Sequence, residues 1–199
     1  MQHSAPLFFI RHGETFYNAE GRLQGQLDTE LSPRGRRQAG EAARRLAQAM
    51  ALRGLDPARA PYSASPLMRT VETMELMREA LGLPRAGFVT DPRLIELSFG
   101  RWQNMTWPEI RTRDPMLAAA RDRDKWDFTP PGGESYATLT ARVGGWLGER
   151  VPPQVVVAHG GVARALMTLL GGMSPEQAAN ETVLQGRVLV FAEGRAEWV

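Results

Sequence analysis

The chain has 199 residues, 24 basic and 22 acidic side chains and a formal net charge of +2. That length supports one sizeable core, and the near balance of charge gives no reason to expect a nucleic-acid partner. The absence of cysteine excludes disulfides, thiolate chemistry and cysteine zinc sites, and three histidines, His3, His12 and His159, give no basis for a multi-histidine metal site. No apolar run reaches the length of a membrane span, and Arg11 interrupts the first run too early for a signal-peptide core. The expectation is a soluble, cytoplasmic protein with no cofactor and no nucleic-acid or membrane partner, working alone or as a homodimer.

Leu7-Phe8-Phe9-Ile10 is a short apolar run of the kind found in parallel strands buried on both faces. It leads into Arg11-His12-Gly13-Glu14-Thr15. Ligands in open α/β sheets bind beyond the carboxyl ends of strands, which is where Arg11 could grip an anion and His12 could act as a nucleophile. Gly13 lets the chain turn and a ligand approach. Taken alone, the His-Gly pair fits a hydrogen-bonded turn equally well.

A polar loop follows over residues 13–31. Ser32 and Pro33 then supply an N-cap and a first-turn proline. Ala39, Ala42, Ala43, Leu46 and Met50 at helical spacing predict a helix facing the core, with Arg36, Arg37, Glu41, Arg44 and Arg45 outward. Residues 54–61 form a turn-rich connection to a weak strand at 62–64. Ser65-Pro66 repeats the cap signature and predicts a helix over 66–81 that buries Leu67, Val71, Met74 and Leu81, closed by Gly82. Another strand is expected at 88–90, then a loop carrying Glu96. Residues 106–124 are helical in pattern but broken at Pro115, with Thr106 and Glu109 spaced as a capping box.

Pro130-Pro131-Gly132-Gly133 interrupts the chain. Residues 134–151 read as an amphipathic helix with Leu139, Val143, Trp146 and Leu147 inward, stopped by Pro152-Pro153. The strongest strand signal is 155–158, leading into His159-Gly160-Gly161 and a helix over 162–170. Short strands are expected at 182–185 and 188–191, with a third at Trp198. This alternation predicts an α/β fold, a three-layer sandwich with a mostly parallel central sheet flanked by helices, as one domain over residues 1–199.

Two strands therefore end in a histidine and a glycine. If they are neighbours, His12 and His159 converge in one crevice, and Arg69 near the start of the second helix can join them. Two arginines and a histidine can hold the equatorial oxygens of a phosphoryl group without a metal. A second histidine can attack phosphorus, and one carboxyl group can protonate the leaving oxygen and later accept a proton from water.

The ordered motifs resemble the histidine phosphatase superfamily, the phosphoglycerate mutase-like family. They are Arg11-His12-Gly13-Glu14-Thr15, Asn18, Leu23-Gln24-Gly25, then Leu31, Ser32, Gly35, Gln38 and Ala39. Next come Ser65-Pro66-Leu67 with Arg69-Thr70, then Leu94, Glu96, Phe99, Gly100 and Trp102. Pro131-Gly132-Gly133-Glu134-Ser135 and Val157-Ala158-His159-Gly160-Gly161 complete the set, which spans nearly the whole chain. The resemblance implies that His12 becomes phosphohistidine and that Glu96 is proton donor and then base. It implies that Arg11, Arg69 and His159 hold the phosphoryl oxygens, with Asn18 and Gly160 beside them and Gln24 and Gly25 on a loop over the pocket. Which nitrogen of His12 attacks is not readable from sequence.

One departure stands out. Where the family commonly has a glutamate and a glycine after Trp102, this chain has Gln103 and Asn104. Residues 102–126 are expected on the substrate side, with Trp107, Arg111, Arg113 and Trp126 as candidates there. The implied activity is metal-independent hydrolysis of a small phosphorylated metabolite. The alternatives are a cofactor-dependent phosphoglycerate mutase, a protein phosphatase and a non-catalytic phosphate-binding module. The module is disfavoured because binding needs neither His12 nor Glu96. The mutase is disfavoured because mutases of the family have a longer stretch between the positions of Glu96 and His159, and a tail that closes the pocket. Residues 194–199 are too short for such a lid.

Overall fold

A computed structural model describes residues 5–150 and 153–199. Its six strands are β1 (Leu7–Arg11), β2 (Tyr62–Ala64), β3 (Val89–Thr90), β4 (Gln154–Ala158), β5 (Val188–Ala192) and β6 (Arg195–Trp198). The helices are α1 (Phe16–Ala19), α2 (Pro33–Ala51), α3 (Met68–Ala80), α4 (Trp107–Arg113), α5 (Pro115–Arg123), α6 (Tyr136–Leu147), α7 (Gly160–Leu169) and α8 (Pro175–Asn180). The strands form one sheet in the order β3-β2-β4-β1-β5-β6. The first four are mutually parallel, while β5 pairs antiparallel with β1, and β6 antiparallel with β5. This is the expected α/β sandwich. No described helix is long and apolar enough to cross a membrane.

The central strands β1, β4 and β5 are largely apolar on both faces because both of their faces are covered. Leu7, Phe9, Val156, Ala158, Leu189 and Phe191 pack with Leu139, Val143, Val162 and Leu166 of α6 and α7. Phe8, Ile10, Val155, Val157, Val188 and Val190 turn the other way, onto Ala42, Leu46, Met74 and Met77 of α2 and α3. Truncating a side chain as fully buried as Phe8 or Phe9 to alanine would cost about 3–5 kcal/mol. A third, smaller cluster lies apart from the sheet. Trp102, Ile110 and Ala118 form it, with Leu23, Met105, Trp107 and Phe128 packed against them. Trp102 stacks on Phe128 and donates its indole N–H to Asp114 Oδ2 at 2.9 Å.

Several local readings hold. Ser32 caps α2 by accepting from the Gly35 N–H at 3.1 Å. Pro115 separates α4 from α5, and Thr106 and Glu109 form the capping box. Others need correction. Ser65 is not the cap of α3, which begins at Met68 after an N-cap Leu67 that makes no side-chain bond. The buried face of α3 is largely polar, with Arg69, Thr70 and Thr73 beside Met74 and Met77, while Leu67, Val71 and Leu81 are only half-buried. That face fronts the candidate site, so the apolar pattern gives way to hydrogen-bonding groups.

Helix α6 starts two residues later than expected because Ser135 is its cap, and Glu134 is engaged with Arg142 at 2.8 Å. It ends at Leu147; the expected end at Val151 and the stop at Pro152 lie outside the described residues. Helix α7 begins at Gly160, which makes His159 its N-cap residue. The expected strand at 182–185 reduces to a single bridge between Gln185 and Arg11, because the Val183 carbonyl accepts from the Arg11 guanidinium instead. Two short helices were not anticipated, α1 and α8, each closed by a capping box: Thr15 with Asn18, and Ser174 with Gln177.

Candidate active site

The register of the two central strands sets the site. Arg11 pairs with Ala158, so His12 and His159 leave β1 and β4 side by side. Their rings meet edge to face with centroids 5.2 Å apart, and both side chains are buried. The His12 Nδ1 lies 2.8 Å from the Gly13 carbonyl oxygen. A carbonyl only accepts, so Nδ1 carries the hydrogen and Nε2 keeps its lone pair. Burial, reinforced by Arg69 and Arg11, holds His12 well below the ordinary histidine value, so it is neutral.

The turn that orients His12 is itself fixed. Thr73 Oγ1 accepts from the Gly13 N–H at 3.0 Å, and Gln38 Oε1 accepts from the Glu14 N–H at 2.8 Å. Gly13 and Gly35 lie back to back: a Cβ on either would overlap the other's backbone or that of Glu14. The close approach lets α2 support the turn directly.

Arg11 and Arg69 stand around His12 with part of each guanidinium anchored. Arg11 Nη1 donates to the Val183 carbonyl at 2.8 Å. Arg69 Nη1 donates to Leu27 O at 2.7 Å, and its Nη2 to Gly25 O at 2.6 Å. The Nε of each is buried without a partner, as is His159 Nδ1. Desolvation lowers the Arg11 value and brings Arg69 down to about 10, which leaves both charged near neutral pH. Each unmet buried donor costs about 1–3 kcal/mol, more where charged. An anion held in the cleft between Arg11 and Arg69 would offer acceptors to these guanidinium groups.

Glu96 closes another side. Its Oε1 accepts from the Gly161 N–H at 3.0 Å and the Leu97 N–H at 2.8 Å. A Cβ on Gly161 would collide with that oxygen, so only glycine admits the carboxylate here. The loop around Gln24 and Gly25 forms a roof. Gln103 Oε1 accepts from the Gln26 N–H at 2.9 Å, and Gln26 Nε2 donates to the Glu96 carbonyl at 3.2 Å. Gln103 therefore braces the roof, as a glutamate's oxygen could. Asn104 takes the left-handed conformation, φ 66°, that asparagine tolerates next best to glycine.

The cleft measures about 220 Å³ and is lined by Arg11, His12, Asn18, Gln24, Gly25, Arg69, Glu96, Gly160 and Gly161. Asn18 accepts through Oδ1 from the Thr15 N–H and from Gln185 Nε2. His159 is fully buried behind this surface, with Nε2 2.8 Å from Ser65 Oγ. The sequence reading missed Arg22, Arg121, Arg164 and Tyr136 in the outer wall. Arg164 lies one helical turn after Gly160, a spacing that could have flagged it. Of the four candidates from 102–126, Trp107 lines the cleft, beneath the Arg121 guanidinium. Arg111 and Arg113 pair instead with Asp122 and Asp114, and Trp126 stacks behind Tyr136.

A neutral buried histidine at a strand end, ringed by donors that lack acceptors, defines an α/β protein whose central crevice is built for an oxyanion. The chain belongs to the histidine phosphatase superfamily, whose branch 1 sequence model matches residues 7–199. Glucosyl-3-phosphoglycerate phosphatase of Mycolicibacterium vanbaalenii is 36% identical over 97% of this chain and 82% of its own length. The 2,3-bisphosphoglycerate-dependent phosphoglycerate mutase of Chelativorans sp. is 30% identical over 94% of this chain and 92% of its own. Length therefore does not separate this chain from that mutase. The structure of a mycobacterial glucosyl-3-phosphoglycerate phosphatase superposes with a TM-score of 0.78 at 29% identity, covering 98% of this chain and 97% of that one. The α-ribazole phosphatase of Shigella flexneri gives 0.79 at 26% identity, over 98% and 94%.

Proposed function

We propose that this chain is a metal-independent phosphomonoesterase, working in the cytoplasm as one catalytic domain, that hydrolyses a small phosphorylated metabolite through a phosphohistidine on His12. The observation that carries the reading is the neutral His12 with its Nε2 lone pair uncommitted among the unpartnered donors of Arg11 and Arg69, beside the unpartnered Nδ1 of His159. In the first step Nε2 forms a bond to phosphorus while the ester P–O bond breaks. Glu96, entering as the acid, gives its proton to the departing oxygen. In the second step the Glu96 carboxylate takes a proton from water, whose oxygen attacks phosphorus. The N–P bond breaks, inorganic phosphate forms and His12 is restored. Arg11, Arg69, His159, Asn18 and Gly160 hold the phosphoryl oxygens, and Gln24 and Gly25 roof the site.

Relatives named for a glucosyl phosphoglycerate and for α-ribazole phosphate support a small organic ester. So does an outer wall of Trp107 and Tyr136 with Arg22, Arg121 and Arg164. Hydrolysis is favoured over transfer to a second substrate because no residue of β5 or β6 lines the cleft among the described residues. Nothing in that part of the chain shields the intermediate from water.

The test is to quench turnover of a labelled ester and locate acid-labile, base-stable label. Label on His12, lost in His12→Ala, is expected. In parallel, 3-phosphoglycerate with a trace of 2,3-bisphosphoglycerate should yield free phosphate faster than 2-phosphoglycerate. Near-normal turnover by His12→Ala would overturn the nucleophile assignment, and dominant isomerisation would favour the mutase.

A further inference from the structure

Ser65 reads as a helix cap in the sequence, yet it caps nothing. It is fully buried just beyond β2, and its backbone is clamped: its N–H donates to Val157 O at 3.1 Å, and its carbonyl accepts from Thr70 Oγ1 at 2.8 Å. Its hydroxyl oxygen lies 2.8 Å from His159 Nε2. The same oxygen is approached by the Leu67 N–H at 3.4 Å. That N–H can only donate, so it takes one lone pair; the hydroxyl keeps its hydrogen and a second lone pair, and which of the two meets Nε2 is set by the tautomer of His159.

A neutral imidazole carries one N–H, and its placement is set by the partner of the other nitrogen. With the proton on Nε2, His159 would present Nδ1 as a bare acceptor. With the proton on Nδ1, it presents a donor. The other unpartnered buried atoms of the inner cluster, Arg11 Nε and Arg69 Nε, are donors. One anion can meet all three only if Nδ1 is also a donor.

We propose that Ser65 is a positioning residue: its hydroxyl donates to His159 Nε2 and so keeps the proton on Nδ1, where it faces the phosphoryl group as a third donor. The inference deepens the hydrolase reading and rests on it for the identity of the anion. It assigns to the Ser-Pro motif a function in the chemistry rather than in starting α3. Removing the hydroxyl would leave Nε2 without a donor and free the proton to move to it, which withdraws a hydrogen bond at the point where phosphoryl charge is held.

The experiment is nitrogen-15 histidine spectroscopy of the full chain, with and without inorganic phosphate, on wild type and Ser65→Ala. Wild-type His159 should be protonated on Nδ1, with Nε2 as a hydrogen-bonded acceptor. Ser65→Ala should lose that state and lose kcat about 10²-fold, with KM changed far less, while its unfolding midpoint and near-ultraviolet dichroism show a folded protein. A serine that only supports packing would move the midpoint and leave the imidazole signals in place. Wild-type His159 protonated on Nε2 would overturn the proposal, as would a Ser65→Ala that keeps the Nδ1–H signal or wild-type kcat. The tautomer signal needs no turnover, so it stands or falls separately from trapping of phosphate on His12.

Discussion

Gly161→Ala separates stability from catalysis. Gly161 sits in the first turn of α7, outside the left-handed region, so its backbone accepts alanine without strain. In a helix alanine is favoured over glycine by about 1 kcal/mol. The obstacle is the side chain's destination: the new Cβ would fall inside contact distance of Glu96 Oε1 and 2.9 Å from Leu139 Cδ2. The leucine end can rotate away. The carboxylate must retreat by about 1 Å, and it would lose the alignment of its bonds to the Gly161 N–H, held at 3.0 and 3.2 Å. A displacement of that size costs on the order of 10²-fold in a positioned reaction step. Turnover of an alkyl phosphate, whose leaving group needs a proton, should fall by about 10²-fold. An activated aryl phosphate should fall far less. The assay is steady-state phosphate release with both esters, beside thermal unfolding. Equal slowing of both would remove Glu96 from proton delivery, and unchanged alkyl turnover would show that its geometry is not limiting.

Arg69→Ala removes the guanidinium that anchors the roof at Gly25 and Leu27 and offers a donor inward. It should lower kcat/KM by about 10²-fold, near 3 kcal/mol of transition-state stabilisation, and Arg69→Lys should not restore a fork that bonds in three directions. A change within about threefold would contradict this. His12 and His159 are both held neutral in the folded chain, first by burial and then by the neighbouring arginines. Unfolded, each takes up a proton near pH 6.5, so below that pH the unfolded chain binds more protons. Their contribution is complete above about pH 6.5 and is lost as pH falls, by about 1.4 kcal/mol per unit for each histidine. His12→Asn should flatten the pH dependence by about that amount between roughly pH 6.5 and 5 in urea unfolding. An unaltered slope would mean that His12 is not buried and neutral.

The central strands were legible because both faces of the sheet are covered and their residues are correspondingly apolar throughout. The inner site was legible because β1 and β4 are neighbours in register, which turns two distant His-Gly pairs into one constellation. Ser65 was misread because a serine before proline carries the same signature whether its hydroxyl caps a helix or bonds a histidine 94 residues away. The outer wall was illegible for a related reason. Arg22 and Arg121 look like the solvated arginines elsewhere in the chain, and only tertiary contact distinguishes them. The 182–185 strand failed because nothing local in Thr182-Val183-Leu184-Gln185 reveals that Arg11 will take the Val183 carbonyl. Helix α8 did carry a signal, Ser174 three residues before Gln177.

The third apolar cluster has a consequence for how the molecule can change. Arg11, His12 and His159 hang from strands held between the two large cores. Leu23 and Trp107, which help shape the mouth, pack on the separate cluster of Trp102, Ile110 and Ala118, with Phe99 touching both regions. The proposed reactive groups and the mouth of the cleft thus rest on different packing units. A lineage carrying this fold can remodel Ile110 or Ala118, tilt Trp107 and admit a differently shaped ester while the bond-breaking apparatus stays in register, so new substrates are reachable by substitutions that never touch the sheet.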